Sequence, residues 1–347
     1  MKVGIVGANG YGGAELIRLL HNHPMVTVDL LVSHSTQGQK ITDQYPQLQH
    51  VLELPLEKLH VPEIINRVDA VFFATPSGVT KDIAPPFVEA GIPCIDLSGD
   101  FRLKDKQMYK EWYKNAPAEQ EFLDMAVYGL PEIYRKDLND RTFIANPGCY
   151  PTAALLGIVP AVKASIIDTT YPIIIDGKTG VSGAGRKPTQ GTLFSEINEN
   201  MKAYKLGSHQ HTPEIEQVLS QIKGAETKVT FNAHLVPMTR GILCTIYASL
   251  KNIHLTDADV VQLYNETYQD EHFVRVRPEK CWPATKEVYG TNFCDIGVSI
   301  DQRTNILTII SVIDNLVKGA AGQAIQNLNL MNNWDEKTGL DTIPVYP

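Results

Sequence analysis

Cysteine is scarce in this sequence, and the spacings typical of metal sites and disulfide frameworks are missing. The chain has five cysteines: Cys94, Cys149, Cys244, Cys281 and Cys294. Their number is odd, and no two are separated in the C-x-x-C manner. The sequence therefore predicts neither a metal ion nor a disulfide network, and we expect a reducing, cytoplasmic environment.

Long apolar runs and basic clusters are also missing. The best apolar candidate, residues 153–162, is interrupted by Gly157 and Pro160 and is shorter than the roughly 18 residues of a membrane span. Strand-like residues 3–6 follow the first methionine almost at once, so no export signal is expected. The net charge of -8 comes without a basic run, which argues against nucleic-acid binding. A small-molecule substrate is therefore favoured over a membrane or nucleic-acid partner.

The remaining composition is that of a globular enzyme. The chain has 347 residues, of which 43% are apolar and 20% are charged. Domains usually hold roughly 100 to 200 residues, so two hydrophobic cores are expected rather than one.

The first residues follow the strand, glycine turn and helix pattern of a dinucleotide site. Residues 2–6 are apolar, and apolar residues return at helical spacing over 14–20. Between them, Gly7, Gly10 and Gly13 permit a tight turn, close approach to a pyrophosphate and a helix N-terminus aimed at negative charge. The alternative is an ordinary glycine-rich turn. The candidate cofactor-binding residues here are Gly7, Asn9, Gly10, Tyr11, Gly12 and Gly13.

The end of the next strand, predicted over 26–32, favours NADP over NAD. An acidic residue there would hold the ribose hydroxyls of NAD and repel a 2′-phosphate. The sequence has Ser33-His34-Ser35 instead, with Lys40 soon after, and these groups can donate to a phosphate. Asp29 lies inside the strand, too early to meet the ribose. Ser33, Ser35 and Lys40 are therefore predicted to bind NADP(H).

Strands and helices continue to alternate through the first half. Buried strands are predicted over 69–75 and 92–98, with a helical stretch between them, and this alternation indicates a Rossmann-like parallel sheet. Ligands bind beyond the carboxyl ends of parallel strands. Thr75 and Pro76 are therefore candidate cofactor contacts, and Arg102 is a candidate substrate contact. Ordinary turn chemistry is the alternative for these loops.

Cys149 lies at a predicted junction between a strand and a helix. Residues 142–145 are predicted as a strand, and residues 153–156 are helical. Pro151 suits the first helical turn, and a thiol near the positive end of a helix dipole is expected to have a lowered pKa. Cys149 is therefore the candidate nucleophile. The other cysteines are assigned to buried strands (Cys94, Cys244 and Cys294) or to a loop (Cys281).

The second half is predicted as an α+β domain with a mixed or antiparallel sheet. A helix over 318–331 is predicted near the end of the chain, followed after Trp334 by a surface extension. The predicted strands are 172–175, 229–236, 242–250, 292–300 and 306–313.

Two histidines are candidates for the proton shuttle that a nucleophilic thiol needs. His209 and His211 directly precede Thr212-Pro213-Glu214, which is predicted as an N-cap, a first-turn proline and a helix. We expect one of the pair to be the acid/base and the other to be structural. Their spacing alone does not choose between them.

Arginines are the expected anion binders, because the guanidinium matches both carboxylate and phosphate. Arg186 follows the turn 182–185, whose Ser182 and Gly183 are candidate cofactor contacts through exposed backbone donors. Arg240 lies between two predicted strands. A solvated surface charge is an equally good interpretation of each arginine. The candidate substrate-binding residues are Arg102, Asn146, Arg186 and Arg240.

Motifs along nearly the whole chain resemble those of the N-acetyl-gamma-glutamyl-phosphate reductases. The most specific is Pro147-Gly148-Cys149-Tyr150-Pro151-Thr152. One departure is Gln210, where Arg or Lys is expected between the two histidines. The other motifs are the glycine turn 7–13, LSGDFRL at 97–103, YGLPE at 128–132, SGAGR at 182–186, HQHTPE at 209–214 and DNLVKG at 314–319.

The resemblance implies reduction of N-acetylglutamyl 5-phosphate by NADPH in arginine biosynthesis, with Cys149 as nucleophile and His209 as the preferred acid/base. It also implies that Asn315 lies close to the cofactor and that the enzyme is a homo-oligomer, either a dimer or a tetramer. The expected NADP-binding domain comprises residues 1–148 and a returning helix over 318–333. A catalytic, substrate-binding and oligomerisation domain is expected over 149–317.

Three other interpretations stay open at this point. The related aspartate-semialdehyde dehydrogenase is disfavoured by the PGCYPT segment and the paired histidines. A cysteine hydrolase or acyltransferase without a redox role would not need the glycine turn. A non-catalytic NADP-sensing protein would not need Cys149 at the start of a helix.

Overall fold

The computed structural model describes residues 1–346, which form two compact units. The first unit comprises Met1–Pro147 and Ala320–Asp341. Of the described residues, the second unit comprises Gly148–Gly319 and 342–346, so Lys318 and Gly319 belong to it. Each unit contains its own seven-stranded sheet.

In residues 1–147, one or two helices lie between successive strands. In chain order they are β1 (Lys2–Val6), α1 (Tyr11–Leu20), β2 (Thr27–Val32), α2 (Ile41–Gln44), β3 (Leu56–Glu57), α3 (Val61–Ile65), β4 (Ala70–Phe73), α4 (Thr80–Ile83), α5 (Pro85–Glu89), β5 (Cys94–Asp96), α6 (Lys106–Tyr113), α7 (Gln120–Met125), β6 (Val127–Tyr128), α8 (Pro131–Leu138) and β7 (Phe143–Ala145).

The later elements are longer on average. They are α9 (Cys149–Lys163), β8 (Ile173–Thr179), α10 (Phe194–Ile197), β9 (Lys202–Tyr204), α11 (Thr212–Lys223), β10 (Val229–Leu235), β11 (Ile242–Ser249), α12 (Asp257–Thr267), β12 (Val274–Val276), β13 (Cys294–Asp301), β14 (Ile306–Ile313) and, after a π-helical turn at Val317–Ala321, α13 (Gly322–Met331).

The sheet of the first unit is entirely parallel, in the order β3-β2-β1-β4-β5-β7-β6. All four residues of β4 are buried and apolar, as expected for a strand covered by helices on both faces. Helix α13 packs against α1, α8 and β5 of this unit. The strand order places the ends of β1 and β4 side by side, where a Rossmann-like fold binds its ligand.

The sheet of the second unit is mixed, in the order β12-β13-β14-β11-β8-β10-β9. Strands β8 and β10 are parallel, as are β12 and β13, and the remaining pairs are antiparallel. Helix α9 packs on β11 and β14, and α11 packs on α9 and β10. The predicted α/β fold, with a parallel first sheet and a mixed second sheet, is confirmed.

Three differences from the sequence predictions are the most marked. Strand β8 extends to Thr179 rather than ending at 175. Its last residues are polar, but β10 and β11 continue to pair with them on both sides. The final α-helix begins at Gly322 rather than at 318, because the Gly319 N–H bonds five residues back to Asp314 O and closes a π-type turn.

The segment after Trp334 is the third difference, because residues 335–341 of the predicted surface extension are anchored to the first unit, although Asp335 and Asp341 are exposed. Asn329 Nδ2 donates to the carbonyl oxygens of Glu336 and Thr338 at 3.1 and 2.9 Å. Leu340 is buried. The buried Asn329 side chain thus anchors residues 335–341, whose composition is typical of a loop.

Candidate functional site

The glycine turn joins β1 to α1 as predicted. The N–H groups of Gly7 and Ala8 donate to Val32 O at 2.9 and 3.2 Å. Gly7 has a φ of 91°, in the left-handed region that favours glycine. A Cβ on Gly13 would stand 2.6 Å from Ala8 Cα, so only glycine lets α1 lie this close to the turn. Because the N-cap residue is Gly10, no side chain caps the helix, and such an N-terminus suits a pyrophosphate.

The residues predicted to select NADP follow the end of β2. Ser33 is buried, whereas Ser35 is exposed and its Oγ accepts from Asn9 Nδ2 at 3.0 Å. This bond ties the segment to the glycine turn. The Lys40 ammonium is exposed and lies 3.4 Å from the Glu53 carboxylate. These side chains give the end of β2 hydroxyl and ammonium donors.

Asp29 is bonded within the strand region. Its Oδ2 accepts from Arg67 Nε at 2.7 Å, and its carbonyl oxygen accepts from Arg67 Nη2 at 2.6 Å. The same guanidinium reaches Glu57 on β3 at 2.8 Å. Asp29 therefore stabilises the β2–β3 edge of the sheet.

Asp100 locks the loops that follow β4 and β5 together. It is fully buried, and its Oδ1 accepts from the Gly78 N–H at 2.6 Å and from the Tyr109 hydroxyl at 2.7 Å. Its Oδ2 accepts from the Lys81 N–H at 3.1 Å. The loop held in this way begins with the predicted cofactor residues 75–76. Asp100 was not among the predicted site residues, although it lies in the LSGDFRL motif.

Arg102 and Asn146 are both buried in the first unit. Arg102 Nε donates to Asn146 O at 2.7 Å, and its Nη2 donates to Leu97 O at 2.9 Å. Asn146 Nδ2 donates to Ala320 O at 3.1 Å, and its Oδ1 accepts from Asn327 Nδ2 at 3.0 Å. Both side chains therefore hold the ends of β5 and β7, and their contact with substrate stays a prediction.

Cys149 is the first residue of the 15-residue helix α9, with Gly148 as its N-cap. Its side chain is partly exposed, whereas the helix residues that follow are buried. A Cβ on Gly319 would stand 2.8 Å from Cys149 Cβ, so the glycine gives the cysteine side chain its room. The thiol thus lies at the positive end of a helix dipole.

His209 and His211 meet beside the start of this helix. Their ring centroids are 4.8 Å apart, and the His211 N–H donates to His209 Nδ1 at 3.1 Å. A Cβ on Gly148 would stand 2.6 Å from His211 Nε2. The His211 ring therefore packs directly on the residue before Cys149, and the glycine permits that approach.

His209 lies in an aromatic pocket. The ring centroids of Tyr150, Tyr204 and Phe231 are 5.6, 5.6 and 5.2 Å from its own. Burial, and then the positive charge of Lys205, lowers the pKa of His209 to about 3. His209 is therefore neutral near pH 7, and because its Nδ1 accepts a bond, its proton is on Nε2.

Helix α11 is capped one residue earlier than predicted. His211, not Thr212, is the N-cap, because the Thr212 N–H donates back to His209 O at 2.9 Å and closes a turn there. Glu214, in the first turn, is fully buried, and its Oε1 accepts from the Gly148 N–H at 2.8 Å. In the sequence Glu214 serves only as a helix-start signal, and nothing there points to this contact.

Asn315, Ser182 and Gly183 form one cluster in the second unit. Asn315 Nδ2 donates to Ser182 Oγ at 2.9 Å, and its Oδ1 accepts from the Gly241 N–H at 2.7 Å. The Gly183 N–H donates to Gly180 O at 3.2 Å. Asn315 and Ser182 are buried, and Gly183 is exposed.

The two arginines of the second unit have different surroundings. Arg240 Nη1 lies 3.4 Å from Asp314 Oδ2, and its guanidinium carbon is 5.8 Å from the centroid of the Tyr289 ring. Asp314 is fully buried and also accepts from the Gly290 N–H at 2.8 Å. Arg186 is exposed on the loop after β8. The structure therefore holds Arg240 near β14 and presents Arg186 at the surface.

The cysteines occupy the predicted environments. Cys94, Cys244 and Cys294 are buried, Cys281 is exposed, and no disulfide joins any of the five. Within residues 1–346, no group of three or more His, Cys, Asp or Glu side chains is arranged to hold a metal ion. Over the same residues, no helix has the length and apolar character needed to cross a membrane.

Two family models cover most of the chain. Residues 2–141 match the semialdehyde dehydrogenase NAD binding domain, and residues 149–315 match the semialdehyde dehydrogenase dimerisation domain. The predicted nicotinamide dinucleotide cofactor is confirmed by the first match.

Solved structures of aspartate semialdehyde dehydrogenases share the fold. The Candida albicans enzyme, determined with NADP, has a TM-score of 0.72 and 18% identity and covers 95% of this chain and 97% of its own. Enzyme II of Vibrio cholerae has a TM-score of 0.71 and 18% identity, with coverage of 96% and 98%. At such identity the likeness concerns the fold alone.

Curated relatives align over the whole chain. The N-acetyl-gamma-glutamyl-phosphate reductase of Bacillus subtilis is 51% identical over 347 residues, which is 100% of both chains. That of Listeria monocytogenes serotype 4b is 52% identical, again over 100% of both. With this identity over its full length, the chain belongs to the N-acetyl-gamma-glutamyl-phosphate reductase family.

Proposed function

We propose that this protein reduces N-acetyl-L-glutamyl 5-phosphate to N-acetyl-L-glutamate 5-semialdehyde and phosphate, with NADPH, as a step of arginine biosynthesis. The observation that carries the proposal is Cys149 at the start of α9, with the His211 ring packed on the preceding residue. It stands in a chain about half identical to named reductases over their full length. The same identity disfavours the aspartate-semialdehyde alternative.

The glycine turn fits a dinucleotide. Gly7 and Gly13 adopt positions that a side chain would block, and the first N–H groups of α1 suit a pyrophosphate. When bound, the reduced nicotinamide supplies a hydride. Hydroxyl and ammonium donors at the end of β2 support NADP over NAD. We assign cofactor binding to Gly7, Asn9, Gly10, Tyr11, Gly12, Gly13, Ser33, Ser35, Lys40, Thr75, Pro76, Ser182, Gly183 and Asn315.

Cys149 is the proposed nucleophile. Its sulfur forms a bond to the acyl carbon while the thiol proton passes to His211. The bond from that carbon to the phosphate oxygen breaks, and phosphate leaves with the electron pair and takes a proton from solvent. The product of this step is a thioester on Cys149. Backbone N–H groups in the first turn of α9 stabilise the oxyanion that forms during attack.

His211 is the proposed acid/base, in place of the His209 that the family resemblance favoured. After hydride reaches the thioester carbon, His211 gives its proton to the oxygen, which forms a thiohemiacetal. The C–S bond then breaks as His211 takes that proton back, and the semialdehyde leaves. His209, neutral and enclosed by aromatic rings, instead accepts the His211 N–H and orients the second ring.

The substrate carries a carboxylate and a phosphate, so its binding site needs cationic side chains. We assign the carboxylate and phosphate to Arg186 and Arg240, with Arg102 and Asn146 as further candidates. Arg240 is partly held by Asp314, which fixes its guanidinium in one direction. The first unit is proposed to bind NADP(H), and the second is proposed to carry catalysis, substrate binding and oligomerisation.

A homo-oligomer is proposed from the second unit. Residues 149–315 match a dimerisation domain. Helices α9, α11 and α12 pack on one face of its sheet, whereas Ile174 and Tyr247 are exposed on the other. An apolar pair of this kind on an open sheet face suits a second copy of the chain.

The test is the reverse reaction, phosphate-dependent reduction of NADP, followed at the nicotinamide absorbance band. N-acetylglutamate semialdehyde and aspartate semialdehyde are compared on the wild type and on Cys149→Ser, with Cys281→Ser as the matched cysteine control. Activity with the first substrate only, lost in Cys149→Ser and kept in Cys281→Ser, is expected. Activity that survives Cys149→Ser, or that prefers aspartate semialdehyde, overturns the proposal.

A further inference from the structure

The loop after β4 lies directly against the glycine turn. A Cβ on Gly7 would stand 2.7 Å from Ala74 C and 3.2 Å from Thr75 N, so the backbone at the end of β4 touches that turn. Residues 75–81 continue from this contact, and Gly78 within them has a φ of 90°, in the left-handed region. The conformation of this loop therefore shapes the cofactor site beside the turn.

Asp100 holds two backbone N–H groups of this loop from outside it. Its Oδ1 accepts from the Gly78 N–H at 2.6 Å, and its Oδ2 accepts from the Lys81 N–H at 3.1 Å. Lys81 lies in the first turn of α4, where backbone N–H groups have no acceptor within the helix. Bonds from an N–H to a carboxylate are stronger than neutral ones. One buried side chain therefore sets the path of residues 78–81.

The Asp100 carboxylate is itself held in place. The Tyr109 hydroxyl donates to its Oδ1 at 2.7 Å, and the Asp100 N–H donates to Ser98 Oγ at 3.2 Å. The Tyr109 ring stacks on that of Tyr113, with centroids 4.5 Å apart. Burial, and then the bond to Asp100, raises the pKa of the Tyr109 hydroxyl, so this group donates at neutral pH. Tyr109 therefore orients the carboxylate toward the loop.

The strand order indicates which half of the cofactor meets this loop. Strands β2, β1 and β4 are neighbours in that order. The donors after β2 suit the adenosine 2′-phosphate, and the turn after β1 suits the pyrophosphate. A dinucleotide that continues in the same direction brings its nicotinamide half to the end of β4.

We propose that Asp100 is a positioning residue for the nicotinamide half of NADPH. Because Asp100 is fully buried, it acts through residues 75–81 and not by contact with the cofactor. When its charge is removed, the Gly78 and Lys81 N–H groups lose their common acceptor, and the loop loses the conformation that receives the nicotinamide. The adenosine half keeps its contacts after β1 and β2. The inference rests on the proposed function for the identity of the cofactor.

The test compares two ligands that share the adenosine half. NADPH has both halves, whereas adenosine 2′,5′-bisphosphate has only the adenosine with its two phosphates. Asp100→Asn keeps the size of the side chain and one acceptor oxygen, but it removes the charge and places an NH2 group opposite one of the two N–H donors. Isothermal titration calorimetry on the full-length protein measures the Kd of each ligand, and thermal unfolding without ligand checks the fold.

The matched control is Asp82→Asn. Asp82 lies on α4, its side chain is 68% exposed, and its carboxylate bonds to the Lys81 ammonium rather than to a backbone N–H. The control therefore removes one negative charge from the same part of the chain without releasing the loop.

We expect Asp100→Asn to weaken NADPH binding by about 5-fold to 50-fold, because it breaks hydrogen bonds to a charged group. The Kd of adenosine 2′,5′-bisphosphate should stay within about twofold of the wild-type value, and Asp82→Asn should bind both ligands as the wild type does. Wild-type NADPH affinity in Asp100→Asn, or an equal loss of both ligands, overturns the inference.

Tyr109→Phe keeps the inference testable if Asp100→Asn does not fold. It removes the hydroxyl that orients the carboxylate and leaves the carboxylate in place. NADPH binding should weaken by about 2-fold to 10-fold, with the adenosine ligand unaffected. A folded Tyr109→Phe protein with wild-type NADPH affinity would count against the role of Asp100.

Binding separates this inference from the proposed reaction. A wild type that binds NADPH but is inactive with both semialdehydes would defeat the proposed function, while the effect of Asp100→Asn on the two ligands would still be measured. Wild-type activity that is lost in Cys149→Ser, together with unchanged NADPH affinity in Asp100→Asn, would defeat only the role of Asp100.

Discussion

His209 and His211 are two residues apart in sequence, yet their different surroundings suit them to different roles. His209 is enclosed by Tyr150, Tyr204 and Phe231, and burial lowers its pKa to about 3. His211 is partly exposed, and its Nε2 faces Gly148. A general acid/base works best with a pKa near the operating pH and within reach of the proton it moves. Position and exposure therefore favour His211.

The histidine assignment predicts unequal losses of activity. His211→Asn should lower kcat by about 100-fold to 10,000-fold, the usual range for loss of an acid/base. His209→Asn should lower it by about tenfold or less, because the amide oxygen can still accept the His211 N–H. Steady-state kinetics on both variants, with folding checked by circular dichroism, measure this. A larger loss in His209→Asn would reverse the assignment.

Because His209 is buried, we expect the free energy of unfolding to fall in acid. The pKa of His209 is about 3 in the folded chain, against 6.5 for an ordinary histidine. Folding therefore favours the neutral form, so the stabilisation is complete above pH 6.5 and is lost as the pH falls from 6.5 toward 3. The loss is about 1.4 kcal/mol per pH unit from this residue.

Urea unfolding at pH 7 and pH 5 in wild type and His209→Asn measures that contribution. Wild type should lose about 2 kcal/mol more than the variant over this interval. The comparison cancels the buried His23, whose pKa is also lowered by burial. Equal slopes in the two proteins would show that His209 is not the source of the acid sensitivity.

At the scale of elements, the glycine turn works because α1 can lie directly on it. A Cβ on Gly13 would stand 2.6 Å from both Ala8 Cα and Gly7 O, which are backbone atoms that cannot turn aside. A Cβ on Gly12 would be no closer than 3.9 Å to the Ala74 side chain. Neighbouring glycines therefore differ in their tolerance of a methyl group.

Gly13→Ala should destabilise the protein by about 1 to 3 kcal/mol, the cost typical of overpacking, and should weaken NADPH binding as α1 moves. Gly12→Ala should keep wild-type stability, because alanine favours helix and meets no clash. Thermal unfolding and NADPH fluorescence titration measure the two effects. A stable Gly13→Ala variant with wild-type cofactor affinity would contradict the packing argument.

Strands and helices of the core were predictable, and their ends were less so. Runs rich in apolar residues located β4, β11 and β14, because a buried strand must be apolar wherever the sheet is covered. The predicted end of β8 was wrong because its last residues pair with strands far away in sequence. The predicted N-cap of α11 was wrong because a turn closes one residue earlier. The anchored segment 335–341 was missed because its anchors, like the partners of β8, lie outside the segment.

At the scale of the whole molecule, the exposed face of the second sheet predicts self-association. Ile174 and Tyr247 are directly paired neighbours on β8 and β11, and they are 36% and 37% exposed. Tyr247→Asp places a charge in the proposed interface and should reduce the mass measured by light scattering to that of one chain. Ile253→Asp, a change at an exposed loop residue, should leave the wild-type mass unchanged. A Tyr247→Asp protein that keeps the oligomer mass would place the interface elsewhere.

The sequence by itself determined the elements whose signals are local. A glycine turn after an apolar strand, a cysteine before a helix and a histidine pair before a proline are all recognisable without tertiary contacts, and they led to the cofactor class and the family. Only the tertiary structure decided which partners those residues meet. It gave Glu214 the Gly148 N–H, enclosed His209 in aromatic rings, and used Arg102 and Asn146 to hold strand ends. The physical reason is that the charge, burial and bonding of a side chain depend on neighbours that lie tens or hundreds of residues away along the chain.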